Sequence, residues 1–266
     1  MLGSSAVEVR PWSVQRQRAL QLLAGEEHAA ELLRLYAALT EAWAEIALDV
    51  AGNPPAAPDL PEYVAELAMP RVLERTLLAG PDALREPVLA RFHEGDLAAM
   101  VRAWLAGDEQ CATDRFLARA SAAPVLETVR GLARSLARGG VVDARHCPNC
   151  GALPQLSYFG LSDEALVTAP RRLLCSRCGE SWTYPRMVCA GCGSEDTAKL
   201  PIYSDHERFP SLRVDACDAC RTYLITVDQP KERKAVPVVD ELVALPLDLY
   251  ARDRGYRKIT PNLMGF

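Results

Sequence analysis

RRLLCSRCGESWTYPRMVCAGCG, residues 171–193, carries two C-x2-C pairs, Cys175 with Cys178 and Cys189 with Cys192, separated by 10 residues. Two further pairs flank it, Cys147 with Cys150 upstream and Cys217 with Cys220 downstream, so eight of the nine cysteines lie in four pairs. A C-x2-C turn lets two sulfurs reach one cation, and a glycine after the second cysteine lets the backbone fold back to donate N–H groups to the thiolates. Gly151, Gly179 and Gly193 hold that position in three pairs; Arg221 holds it in the fourth, which must use a different backbone or accept strain.

The intervals suggest which pairs belong together. Cys150 and Cys175 are 24 residues apart by the chain between them, and so are Cys192 and Cys217. The inner pairs could still join each other and leave the outer two to combine, but the matched gaps favour a duplicated unit. On that reading Cys147, Cys150, Cys175 and Cys178 form site one, and Cys189, Cys192, Cys217 and Cys220 form site two. Each would close a four-sulfur tetrahedron with no open position for a substrate, suited to zinc or iron. Each is expected to contribute on the order of 10 kcal/mol of folding free energy, because a small β-ribbon buries too little apolar surface to hold itself.

A secretory origin would have favoured disulfides instead. The opening MLGSSAVEVRPWSVQRQRAL lacks a basic start, an apolar run and a cleavage site, and no segment approaches 18 uninterrupted apolar residues. The expectation is a cytoplasmic protein without membrane insertion, where thiolate clusters hold metal and structural disulfides are rare. Four C-x2-C copies in register also disfavour a thioredoxin-type redox motif.

The text before the cysteines is helical. In ELLRLYAALTEAWAEIALDV the residues Leu32, Tyr36, Leu39, Trp43, Ile46 and Val50 recur at steps of four and three, and the helix stops at Gly52-Asn53-Pro54-Pro55. Further helices are expected near 62–78 with a break at Pro70, near 82–94, and in DLAAMVRAWLAG with Asp96 as N-cap and Gly107 as terminator. Two more helical stretches fit before Arg138. Gly139-Gly140 marks the change to short β-like runs (LPQLSYFG, RRLLC, SWTYPRM, KLPIYS, SLRVDA, TYLITVD), and helical pattern returns in VDELVALPLDLYARDRG. The expected fold is multidomain α+β: an all-α domain over 1–140, a first metal ribbon over 141–187, and a second over 188–266 ending in a C-terminal helix. With 266 residues and 49% hydrophobic content the chain can bury a real core.

Charge argues against nucleic acid as a partner. Residues 1–140 carry 14 Lys+Arg against 19 Asp+Glu and residues 141–266 carry 16 against 16, with no basic excess to grip phosphates. No G-x-S-x-G, Walker loop or Rossmann fingerprint is present, so the sequence supports no enzyme. Cys111 reads as a small buried hydrophobe, His28 and His93 as ordinary helical residues, His146 as a neighbour of a ligand, and Asp205-His206-Glu207 as a solvated turn.

CPNCGALP, RRLLCSRCGESWTYPRMVCAGCG, RVDACDACRTYLITVD and DELVALPLDLYARDRGYRKITPNL, taken with the helical region before them, resemble the formate dehydrogenase accessory proteins of the FdhE family. The likeness spans 146–262, and Leu174, Trp182, Arg186, Asp218, Tyr223, Asp248 and Tyr256 fall where that family has similar residues. Ile225 and Thr226 depart from it, standing where a lysine commonly follows the Tyr-Leu pair. The resemblance implies two rubredoxin-like units binding two metal ions, iron or zinc, in a cytoplasmic assembly factor that acts on the catalytic subunit of respiratory formate dehydrogenase. A homo-oligomer is compatible with it. A zinc-ribbon nucleic-acid module and a rubredoxin-like electron carrier are the competing readings of the same cysteines.

Overall fold

The computed structural model describes residues 12–136, 143–161 and 169–266. The expected boundary at Gly139-Gly140 lies outside the described residues.

The helical region contains α1 (Trp12–Leu23), α2 (Ala30–Gly52), α3 (Leu60–Tyr63), α4 (Met69–Ala79), α5 (Asp82–Glu94), α6 (Leu97–Ala106), α7 (Ala112–Thr128) and α8 (Arg130–Ser135). Helix α2 forms its centre and packs against α1, α4 and α7. Of the stripe expected on α2, Tyr36, Leu39, Trp43, Ile46 and Val50 are buried and Leu32 is half-buried. Leu33 and Leu35 are fully buried as well, because neighbours cover more than one face. The α2 helix ends at Gly52, ahead of the two prolines.

Pro70 produces no break. The chain stays helical from Leu60 to Ala79, with a π turn over Val64–Ala68 immediately before Pro70. A proline lacks the N–H that would close the preceding α turn, and a locally wider turn absorbs that loss. Asp96 caps α6 by accepting from the Ala99 N–H at 2.8 Å, and Gly107 ends it at φ 81°. Cys111 corrects the sequence reading: it is exposed, and its Sγ accepts from the Asp114 N–H at the start of α7. An α7 N-cap position faces solvent, which a spacing pattern alone does not reveal.

Seven described strands form one mixed sheet: β1 (Pro154–Phe159), β2 (Arg171–Cys175), β3 (Ser181–Thr183), β4 (Ile202–Tyr203), β5 (Leu212–Cys217), β6 (Thr222–Asp228) and β7 (Arg257–Lys258). The order is β3-β2-β1-β6-β5-β4, with β7 pairing β6. The first unit supplies β1 to β3 and the second β4 to β6, all antiparallel within a unit. The units meet where β1 pairs in parallel with β6, Ser157 opposite Thr226. Both ribbons thus belong to a single sheet. Equivalent positions differ by 42, as Cys147 and Cys189 do, and the register repeats with them: Leu173 faces Trp182 in one unit and Asp215 faces Leu224 in the other.

The C-terminal helical text splits into α9 (Pro237–Asp240), a 3-10 turn (Glu241–Ala244) and α10 (Leu245–Asp253), the last restarting at Pro246. These segments join sheet to helices. The Arg18 Nε donates to Asp240 Oδ2 at 3.0 Å, and His28 Nε2 lies 2.9 Å from the Val243 carbonyl. Beneath them runs a buried polar chain in which Arg119 donates to Gln155, Gln155 to Glu241, and Lys258 sits 2.7 Å from Glu241 and 3.1 Å from Asp248. Tyr223 closes it by donating to Asp248 at 2.8 Å. Glu241 and Asp248 are both fully buried, so Lys258 keeps their charges from standing unpaired.

Candidate metal centres

Each C-x2-C pair sits on a tight turn, and three of them share one backbone bond, from the residue after the second cysteine to the carbonyl of the first. The Gly151 N–H donates to the Cys147 carbonyl at 2.9 Å and the Gly193 N–H to the Cys189 carbonyl at 2.9 Å. Gly151, Gly179 and Gly193 take φ of 74°, 60° and 76°. Arg221 takes φ 57°, the one positive value for a non-glycine among the described residues. The fourth knuckle therefore keeps the common backbone and accepts the left-handed strain, about 1–2 kcal/mol for a residue with a Cβ. Its side chain offsets part of that: the guanidinium donates to Asp218 Oδ1 at 3.0 Å and to the Arg254 carbonyl, and lies 4.1 Å from the Tyr256 ring centroid.

The turns bring the eight sulfurs into two groups, Cys147, Cys150, Cys175 and Cys178 in one and Cys189, Cys192, Cys217 and Cys220 in the other, with all four sulfurs of a group within 4.8 Å of one another. Inner pair does not meet inner pair, nor outer outer. A tetrahedral centre with metal–sulfur bonds of about 2.3 Å has sulfur–sulfur edges of about 3.8 Å. The edges found are 3.7 Å (Cys147 to Cys178), 3.4 Å (Cys150 to Cys175), 3.7 Å (Cys189 to Cys220) and 3.8 Å (Cys192 to Cys217). None of the nine cysteines is disulfide-bonded. Both groups fit a soft cation in closed coordination.

Backbone N–H groups point at the sulfurs as the glycine positions lead one to expect: Asn149 to Cys147 at 3.4 Å, Arg177 to Cys175 at 3.3 Å and Gly191 to Cys189 at 3.3 Å. Two side chains join them, Asn149 Nδ2 at 3.7 Å from Cys178 Sγ and Thr222 Oγ1 at 3.0 Å from Cys220 Sγ. Neither was foreseen, although Asn149 lies within its own knuckle and Thr222 two residues after Cys220. Burial pushes the Cys175 thiol well up and the Cys189 thiol up to about 12. Without a cation these thiols hold their protons, and a metal must displace them.

His146 stays outside the cluster, its Nδ1 2.8 Å from Asp143 Oδ1. The preceding segment instead links the two units through Arg145, whose Nη1 donates to the Gly191 carbonyl at 2.8 Å, and is tied to its own unit by Trp182 Nε1, which donates to the Ala144 carbonyl at 2.9 Å. Asp205, His206 and Glu207 are exposed in a turn. No helix among the described residues is long and apolar enough to cross a membrane.

Residues 187–264 match the family model described as FdhE, C-terminal domain. The chain is 31% identical over 121 residues to the protein FdhE homolog of Aquifex aeolicus, covering 46% of this chain and 42% of that one. It is 33% identical over 113 residues to the FdhE homolog of Haemophilus influenzae, covering 42% and 36%, and 31% identical over 118 residues to protein FdhE of Escherichia coli, covering 44% and 37%. The matched stretch is thus less than half the length of these relatives. The crystal structure of the FdhE protein from Pseudomonas aeruginosa shares the fold over 99% of this chain and 98% of that one, with a TM-score of 0.70 at 22% identity. Knuckle spacing, matched C-terminal domain and shared architecture point the same way: residues 187–264 match the FdhE C-terminal domain, and the chain as a whole has the fold of an FdhE protein.

Proposed function

We propose that this protein is an accessory factor for the maturation of respiratory formate dehydrogenase, acting in the cytoplasm on the enzyme's catalytic subunit and catalysing no reaction of its own. The observation that carries the reading is the pair of closed four-sulfur clusters in a chain whose residues 187–264 match the FdhE C-terminal domain. Closed clusters leave no position for a substrate, which suits a scaffold for protein contact.

In this reading Cys147, Cys150, Cys175 and Cys178 ligate one iron or zinc ion, and Cys189, Cys192, Cys217 and Cys220 the other. Residues 1–140 act as a helical domain, 141–187 as the first ribbon and 188–266 as the second with its C-terminal helix. The test is co-purification of the catalytic subunit with the full chain from its native host, paired with a deletion strain grown on demand for the enzyme. Recovery of the subunit and loss of formate dehydrogenase activity are expected. Full activity in the deletion strain would sink the reading.

A further inference from the structure

The 42-residue repeat places an arginine at the same position in each unit, Arg171 in β2 and Arg213 in β5. Both turn to one carboxylate. Asp215 lies 2.8 Å from Arg213 Nε and 3.5 Å from Arg171 Nη2, and also accepts from the Thr226 hydroxyl at 2.7 Å. Both of its oxygens therefore have partners, and one negative charge faces two guanidinium groups.

A third guanidinium, Arg186, donates to the Ala169 carbonyl and sits 4.5 Å from the Phe159 ring centroid, with Arg213 at 5.0 Å from the same ring. These groups line a cavity of about 360 Å³ beside Cys189. The second carboxylate in the wall, Asp228, lies 3.7 Å from the Lys231 ammonium.

Arg171 is only 4% exposed. Its Nη1 donates to the Val188 carbonyl at 3.0 Å and weakly to that of Pro185, while its Nε has no partner among the described residues. A buried charged donor left unpaired costs several kcal/mol. Burial lowers the Arg171 pKa, and Asp215 works in the opposite direction. The remaining wall is apolar, with Leu200, Leu224 and Ile259 inside and Met187 and Ile202 about half exposed at the rim.

We propose that this cavity binds a small organic anion, one carboxylate or phosphate headgroup held by Arg171, Arg186 and Arg213 with its apolar body against Leu224, Ile259 and Met187. The headgroup meets the guanidinium groups that the wall presents, three of them against the carboxylates of Asp215 and Asp228. The volume lies within the range of small-molecule sites. This site adjoins the second cysteine cluster through Cys189 and Thr222 and does not depend on the accessory role.

The test is calorimetric titration of the metal-loaded full chain with hexanoate, hexyl phosphate, acetate, inorganic phosphate and neutral 1-hexanol. At least one hexyl anion saturates a single site, about tenfold or more tighter than its bare counterpart, because the chain buries apolar surface. Whichever hexyl anion binds tighter identifies the headgroup. Hexanol does not compete. Arg171→Gln and the exposed Arg186→Ala each weaken binding by about tenfold or more, the loss expected for a charged hydrogen bond. Since Arg171 is buried, Arg186→Ala decides the matter if Arg171→Gln fails to fold. The proposal is overturned by no saturable uptake of either hexyl anion, by equal affinity for bare and hexyl anions, by competition from hexanol, or by unchanged affinity in Arg186→Ala.

Discussion

Site one and site two have the same turns, the same backbone donors and nearly the same sulfur–sulfur edges, yet different surroundings. Cys147, Cys150, Cys175 and Cys178 are at most 4% exposed and belong to the main hydrophobic core shared with the helices. In site two Cys192 is exposed and Cys220 half-buried. Local geometry is a property of the repeated sequence. Burial is a property of where each copy lands in the sheet.

The largest effect should come from breaking one site at a time. Cys150→Ser is expected to empty site one and destabilise the fold by an amount approaching the order of 10 kcal/mol of a structural metal site. Cys192→Ser should empty site two alone and lower the melting temperature far less. Element analysis with thermal unfolding followed by circular dichroism separates the two; loss of both metals from either change contradicts independent sites.

Acidification should weaken both. In the metal-free protein the thiols of Cys175 and Cys189 lie above their ordinary range, so protons are bound there and absent once metal is held. More protons in the metal-free state means that affinity rises with pH and falls as pH drops, by about tenfold per unit for each proton displaced. Competition with a metal indicator between about pH 8 and about pH 6 reads that slope.

Chelator access sharpens the contrast further. Stopped-flow absorbance of the cobalt-substituted protein should show two phases on adding chelator, with site two emptying about tenfold faster than site one, since the surrounding shell controls solvent access. A single phase would mean that burial does not govern release.

The smallest effect concerns the fourth knuckle. Gly151→Ala should destabilise by about 1–2 kcal/mol because its left-handed backbone disfavours a Cβ. Arg221→Gly relieves the same strain and loses the contacts to Asp218 and Tyr256, so urea unfolding should move by less than about 1 kcal/mol. A large loss would show that Arg221 holds the knuckle through its side chain.

The departure at Ile225 and Thr226 shows how a sequence difference acquires a role. Both are fully buried in β6, and the Thr226 hydroxyl lies 2.5 Å from Ser157 Oγ across the junction of the two units and donates to Asp215. Residues matched by resemblance are likewise structural: Asp218 accepts from Tyr256 and Arg221, and Asp248 from Tyr223.

Sequence alone determined the helical and β-rich regions, the stop at Gly52, the Asp96 cap, and the convergence of eight cysteines in two sets of four. All rest on short-range periodicity, turn chemistry and spacing, which act within a few residues. Tertiary structure alone decided that β1 and β6 fuse the units into one sheet, that Cys111 faces solvent, that Arg221 accepts a left-handed turn, and that Arg171 and Arg213 converge on Asp215. Those outcomes depend on which distant strands and helices pack together. A period of 42 residues makes two sites alike in geometry; the burial of one against the helices makes them unlike in exposure.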